Sequence, residues 1–358
     1  MKKLLIINRA QFGYHIDSYK YCQYLKDKFK ITYLCLDVGR EKIEEDGVNV
    51  IYIPYSNSFI KKGLSLIKAS REKIKHEHYD IIFIVYFLMS SWIKLGFKKS
   101  KFVLDIRTGS VSIQNLKRFI EDNILRVESL FFENITIISE CLRKKLNFNI
   151  NKSHILPLGS DPISSTLKEF NTINLLYVGT LNGREIEKTV LGLASFLNLK
   201  ENKSLLNKIR YDIIGFGTKE NESLLKQTII KNNLKNIVKF HGQIKHNDLK
   251  PYFDKANIGI SYIPITEYYQ CQPPTKTFEY INSGLFCIAT STSIHQELIT
   301  EDNGILCLDD SQSFSKSLQK LFEIKKNINS KKISKSLKQY SWEVIIKENL
   351  KNYLENLK

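Results

Sequence analysis

The chain has 358 residues, 42% of them hydrophobic, and a formal net charge of +17. That length suits two globular domains, and that composition excludes an intrinsically disordered chain. The charge admits an anionic substrate, an anionic membrane surface or nucleic acid as partner; because lysine, isoleucine and asparagine are abundant throughout, composition bias is an equal explanation for part of it.

The start, Met1-Lys2-Lys3 followed by Leu4 to Ile7, reads as a first core strand, since Arg9 follows too soon for a secretory signal. The longest uninterrupted apolar run, Ile81 to Met89, has nine residues, too short to cross a bilayer and suited to a buried strand. The six cysteines, at 22, 35, 141, 271, 287 and 307, share no ligand spacing. They predict a reduced, cytosolic protein with no structural metal.

In chain order, strand-like segments run Leu4 to Asn8, Ile31 to Leu36, Val48 to Ile53, Ile81 to Phe87, Phe102 to Asp105, Ile135 to Ser139 and His154 to Pro157, with helical patterns between most of them. The alternation restarts with Leu175 to Gly179, Tyr211 to Gly215, Ile237 to Phe240, Ile258 to Ile260, Phe286 to Ala289 and Gly304 to Leu306. Two doubly wound α/β domains in series follow, each a Rossmann-like parallel sheet covered by helices on both faces. The junction is expected near Gly159-Ser160-Asp161-Pro162, with the polar Ser164 to Asn174 segment as linker. Domains of 1–162 and 163–338 result, and 339–358 is a terminal helix opened by Ser341-Trp342-Glu343. In open sheets a ligand lies beyond the carboxyl ends of the strands, and two such sheets facing each other leave a cleft.

The densest constellation is Gln272-Pro273-Pro274-Thr275-Lys276-Thr277-Phe278-Glu279-Tyr280-Ile281-Asn282-Ser283-Gly284. Two prolines can precede a helix but not sit inside one, so the helix starts at Thr275 as N-cap and stops at Gly284. Its first-turn N–H groups, with Lys276 beside them, suit a phosphate, and Glu279 one turn on suits the hydroxyls of a ribose. An ordinary capped helix between two core strands is the plain alternative. After the strand Leu175 to Val178 come Gly179-Thr180-Leu181-Asn182-Gly183-Arg184 and a helical segment with Lys188. Glycine lets a backbone approach a ligand, and Arg184 offers a planar fork for phosphate oxygens.

The order P-x-K-x-x-E-Y-x-x-x-G before a buried strand resembles the donor-nucleotide segment of the retaining GT-B glycosyltransferases of the GT4 family. Y-V-G-T-L-x-x-R at 177–184 resembles that family's first donor-domain loop, and Val238 to Ile244 its base pocket. The resemblance covers residues 175–310 in the family's order. It implies an N-terminal acceptor-binding domain, a C-terminal domain for a nucleotide-sugar donor, UDP- or GDP-linked, and a terminal helix crossing back to the first domain. Gly179, Thr180, Arg184, Lys188, Gly242, Thr275, Lys276 and Glu279 would hold the donor. Arg184 and Lys276 would stabilise the leaving diphosphate, and neither a metal nor another cofactor is implied. His241 reads as structural, and Lys188 equally as a solvated helix residue.

Two departures stand out. Many members carry a second Glu where this chain has Cys271, with Glu267 the nearest acid. Arg107 occupies about the position of a family His near the reaction centre; it could hold a phosphate but not act as a base, which leaves Asp105 as the available carboxylate or as a mere partner of Arg107. Gly13, after the first strand, is the expected backbone contact on the acceptor side. Phe59 to Lys75 carries six Lys or Arg against one Glu with apolar residues at helical spacing; with Trp92, Lys94, Lys98 and Lys99 it suggests a peripheral enzyme on the inner face of the cell membrane, acting on a polyprenyl-linked or other lipid-linked glycan in surface polysaccharide assembly. The rivals are a sugar-nucleotide 2-epimerase of the same architecture, an inactive GT-B partner protein, and a nucleic-acid-binding protein, for which no recognised module is present.

Overall fold

The computed structural model describes residues 1–54 and 59–357, the side chains of 59–62, 200, 201, 203 and 204 excepted. Contacts divide it into two units, Met1–Gly159 with Trp342–Lys358, and Ser160–Ser341.

The first unit holds β1 (Lys2–Asn8), β2 (Phe29–Asp37), β3 (Val48–Pro54), β4 (Ile81–Val85), β5 (Lys101–Ile106), β6 (Asn134–Ile137) and β7 (Ser153–Ile155), all parallel, in the order β3-β2-β1-β4-β5-β6-β7. Leu4 to Ile7 and Ile81 to Ile84 are buried on both faces, as continuous apolar runs in a covered parallel sheet must be. The helices are α1 (Ile16–Leu25), α2 (Phe59–His76), α3 (Asn115–Ser129) and α4 (Glu140–Lys145). A terminal helical segment runs from Trp342–Val344 through the π-helical Ile345–Leu350 to Lys351–Glu355 and belongs to this unit. Its anchor is Trp342, whose ring lies against Gly159, where a Cβ would come within 2.4 Å of the indole.

The second unit holds β8 (Ile173–Val178), β9 (Ile209–Ile214), β10 (Val238–Phe240), β11 (Ile258–Ser261), β12 (Phe286–Thr290) and β13 (Gly304–Cys307), in the order β10-β9-β8-β11-β12-β13. Its helices include α5 (Glu187–Asn198), α6 (Lys219–Lys231), α7 (Lys250–Lys255) and α8 (Thr275–Asn282).

Three expectations need correction. Thr275 does not cap α8: Pro274 takes that place without a side-chain hydrogen bond, and Thr275 is the first helical residue. Proline fixes φ near the value the cap takes, and it leaves the first-turn N–H groups without a side-chain acceptor. Residues 164–172 are not a free linker. The ammonium of Lys168 is buried and donates to Ser164 Oγ and to the carbonyls of Phe253 and Asp254, while Asn257 ties down the carbonyls of Glu169 and Thr172. Among the cysteines, Cys22, Cys35, Cys287 and Cys307 are free and buried; Cys141 and Cys271 stand outside that set, against the expectation of six reduced thiols.

Candidate functional site

In the second unit the strand order reverses at β8, which has β9 on one side and β11 on the other. Such a switch point opens a crevice at the carboxyl ends of the strands. β8 pairs with β11 only at Leu175 and Leu176. Further along, the Val178 N–H donates to the hydroxyl of Tyr280 at 2.8 Å. That buried ring occupies space a Cβ on Gly259 would fill, at 2.3 Å from Tyr280 Cγ. Tyr280 therefore spreads the two strand ends and satisfies the backbone donor that the spreading frees.

Three glycines close the strand-end loops on one another. Gly179, at φ +151°, donates to the Ile214 carbonyl, and the Gly215 N–H donates to the Gly242 carbonyl at 2.9 Å. A Cβ on Gly215 would sit 1.8 Å from the Gly179 oxygen. Gly242, at φ +74°, has open space where its side chain would be. Thr180 folds into the same turn: its carbonyl accepts from the Tyr177 hydroxyl at 2.6 Å and its Oγ1 from the Asn182 N–H.

Two cations converge on this floor. The Arg184 guanidinium stacks on Tyr269 at 4.2 Å from the ring centroid, its sole protein hydrogen bond among the described residues being a 3.5 Å contact to the Gly183 carbonyl. The Lys276 ammonium lies 4.0 Å over the Tyr177 ring and beside Gly179. Burial first, and then the charge of Arg184, push its pKa well below the ordinary lysine value. Neither cation makes an ion pair among the described residues. Lys188 differs: its ammonium is bound to Glu185 at 2.6 Å and to the Asp309 carbonyl, so it stands as a structural helix residue rather than a third free cation.

Lys276 rides on the open first turn of α8, whose leading N–H groups have no intrahelical acceptor. Behind that turn lies a network sequence reasoning missed. The imidazole Nε2 of the fully buried His295 meets Thr277 Oγ1 at 2.9 Å and Ser261 Oγ at 3.1 Å, while its Nδ1 meets the Thr290 carbonyl at 2.6 Å. Burial lowers its pKa to about 4, so it is neutral and fixes α8 against β11 and β12. The only sequence signal was a polar residue recurring among apolar ones. Glu279 is mostly covered, with Oε1 3.4 Å from His246 Nε2. His241 Nε2 lies 2.5 Å from Asp212, consistent with a structural role.

In the first unit the switch point falls between β1 and β4. Gly13 turns there at φ +86°, and a Cβ would strike Ile43 at 2.3 Å, so packing alone already demands glycine. His15, next to it, accepts from the Ser18 N–H as cap of α1 and is held below its ordinary pKa by burial. The readings of Asp105 and Arg107 as reacting groups need correction. Asp105 has no exposed surface; its Oδ1 accepts from Thr136 at 2.7 Å, and burial raises its pKa to about 6. Arg107 donates to Asp17 and to the carbonyls of Leu156 and Pro157. The pair is a strut joining β5, α1 and the segment after β7, and Asp17 is the acid that sequence reasoning missed.

Two parallel-sheet Rossmann-like units in series define the GT-B fold. The chain is similar over its whole length to solved structures of that fold: sucrose-phosphate synthase of Thermosynechococcus elongatus, at TM-score 0.79 and 14% identity with 99% of each chain covered; Anabaena HepE in complex with UDP, at 0.74 and 12% with all of each chain covered; and the lipopolysaccharide outer core galactosyltransferase WaaB, at 0.70 and 12%, again with full coverage of both. Residues 172–323, inside the second unit, match the family described as Glycosyl transferases group 1. The fold is therefore GT-B, and the similarity to group 1 glycosyltransferases lies in residues 172–323. No curated protein sequence matches the chain.

Proposed function

We propose that the protein is a retaining glycosyltransferase of GT4 type that moves a sugar from a nucleotide-sugar donor to a hydroxyl of a glycan acceptor. The observation that carries this reading is the convergence of Arg184 and Lys276, neither with an ion-pair partner among the described residues, on glycine loops at the switch point beside the open start of α8. Two cations held close together without a counter-ion suit a diphosphate, whose negative charge grows as the glycosidic C–O bond breaks. Glu279 lies one turn further along α8, where it would accept from ribose hydroxyls, and the base would lie near Gly242. The new bond forms between the acceptor oxygen and the anomeric carbon on the face the diphosphate leaves, and the acceptor proton passes to the departing phosphate oxygen. Arg184 and Lys276 supply the charge stabilisation, so the step is metal-independent. Of the similar structures, HepE was solved with UDP and with UDP-glucose, which favours a uridine donor.

The acceptor falls to the first unit. Its basic helix α2 favours an acceptor presented at a membrane, such as a polyprenyl-linked glycan in surface polysaccharide assembly; the side chains of Phe59, Ile60, Lys61 and Lys62 lie outside the described residues. No helix among the described residues is long and apolar enough to cross a membrane.

A second reading has its own observation: Cys271, buried, stands where many relatives of this type have an acid, which favours an inactive partner protein that keeps the nucleotide site. Proton NMR of UDP- and GDP-sugars incubated with the protein separates the cases. Release or transfer of the sugar with its anomeric configuration kept supports the transferase. A changed configuration at C2 identifies the epimerase, and tight binding with no conversion identifies the partner.

A further inference from the structure

Helix α3 is amphipathic in the wrong sense for a core helix. At 100° per residue, Leu116, Phe119, Ile120, Ile124, Val127 and Leu130 fall within an arc of about 140°, which among them holds one polar residue, Asn123. That arc faces out: Leu116 is 72% exposed, Phe119 67% and Leu130 76%. The inner face is mostly polar and is held by hydrogen bonds. Buried Arg118 donates to the Ser112 carbonyl, Asp122 accepts from the Ser110 N–H, and buried Glu128 accepts from the N–H groups of Met89 and Ser91. Such an exposed apolar stripe is uncommon on a soluble surface.

What borders the stripe identifies its occupant. Lys117, 3.9 Å from the Glu121 carboxylate, and Arg126 lie at its two edges on the helical wheel, and both are exposed. Glu128 pins down the 88–95 loop, which adds the half-exposed ring of Trp92, and Lys94 reaches across to the Phe131 carbonyl and pairs with the exposed Glu133 carboxylate. Beside Val127 and Leu130 opens a cavity of about 310 Å³, into which Arg126, Lys152, Asn147 and Asn149 bring cations and amides. An apolar stripe edged by Lys and Arg, with a Trp and a cationic hollow alongside, matches an anionic bilayer surface: acyl chains take the stripe and phosphate headgroups the rim.

We propose that the outer face of α3, with the 88–95 loop, is a membrane-docking surface for an anionic phospholipid leaflet, and that the cavity beside Arg126 and Lys152 receives a lipid headgroup phosphate. This deepens the reading of a membrane-presented acceptor, yet its test reads lipid binding, so either can fail without the other. The test is co-sedimentation of the full chain with vesicles of phosphatidylcholine alone and of equal parts phosphatidylcholine and phosphatidylglycerol. The wild type pellets with the anionic vesicles. The double variant Phe119→Ser/Leu130→Ser and the double variant Arg126→Glu/Lys152→Glu each bind at least about tenfold more weakly, while Leu224→Ser, an exposed leucine of α6, changes nothing. Soluble glycerophosphoglycerol does not release the bound protein, because the stripe as well as the headgroup holds it. Any one of three results overturns the proposal: a wild type that stays in the supernatant, a Phe119→Ser/Leu130→Ser variant that binds like the wild type, or a lipid-free dimer that this variant turns into a monomer, which would make the face a protein interface.

Discussion

Lys276 is held in the state that an anion would reverse. Burial and the charge of Arg184 lower its pKa, and Cys287 and Glu279 offset this only in part. A bound diphosphate brings the missing counter-charge and raises that pKa again. At a pH between the two values the site takes up a proton as the ligand binds. Calorimetric titration of UDP in buffers of different ionisation enthalpy should therefore give a positive proton uptake that vanishes in Lys276→Met; zero uptake or proton release in the wild type would contradict the role. Asp105 behaves in the opposite region. Its pKa is 3.8 in a model peptide and about 6 in the fold, so between those values the unfolded chain ionises first. Its contribution to stability is present below about pH 4 and is lost as pH rises to about 6. Asp105→Asn keeps an acceptor for Thr136 and should flatten the fall in unfolding free energy between those two pH values, measured by urea denaturation; an unchanged profile would refute the assignment. At this scale Arg184, Lys276 and Glu279 were legible because proline, glycine and charge stand at fixed offsets in one segment. Tyr280, Tyr269 and His295 were not. Their roles come from contacts with strands or loops up to 102 residues away, so that even Tyr280, which stands inside the quoted motif, has a role that cannot be read there.

Helix α8 shows how far local rules reach. Its end was readable: Gly284 sits at φ +76°, the Leu285 N–H donates to the Tyr280 carbonyl and the Gly284 N–H to that of Ile281, which is a Schellman motif. Its start was misread because Thr is a common cap, whereas Pro274 takes that place without a side-chain hydrogen bond. The strands were legible throughout as apolar segments between helical patterns, continuous as in Ile81–Val85 or interrupted by polar residues as in Ile209–Ile214. The segment 164–172 was misread as a linker because its polarity is that of a loop, while its long-range bonds to Phe253, Asp254 and Asn257 leave no local trace. Two substitutions test the architecture of the strand ends. Gly215→Ala puts a Cβ against the Gly179 oxygen and should cost about 1–3 kcal/mol, seen as a lower midpoint in urea. Tyr280→Phe strands the Val178 N–H and should likewise cost about 1–3 kcal/mol. A neutral result for both would mean that the loops after β8 and β9 are looser than the contacts describe.

Across the whole molecule, two parallel sheets each present one switch point, and the two differ in kind. In the first unit the charged groups found there, Asp17, Arg107 and Asp105, are consumed by one another and by backbone carbonyls. In the second, Arg184 and Lys276 are stacked on aromatic rings and have no ion-pair partner among the described residues. That asymmetry is the reason the proposed diphosphate site lies in the second unit. The measurement that tests this most directly is a thermal-shift and calorimetric panel of UDP-, GDP-, ADP- and CDP-sugars, with EDTA and with magnesium, on the wild type, Arg184→Ala and Glu279→Ala. The account predicts stabilisation by one base series, independent of metal, and a loss of about tenfold to a hundredfold in affinity for Arg184→Ala, the worth of a charge-assisted hydrogen bond. Glu279→Ala should weaken the ribonucleotide and leave the affinity for its 2′,3′-dideoxy counterpart nearly unchanged. No stabilisation by any member of the panel, at concentrations well above ordinary dissociation constants, would contradict the assignment of the donor site.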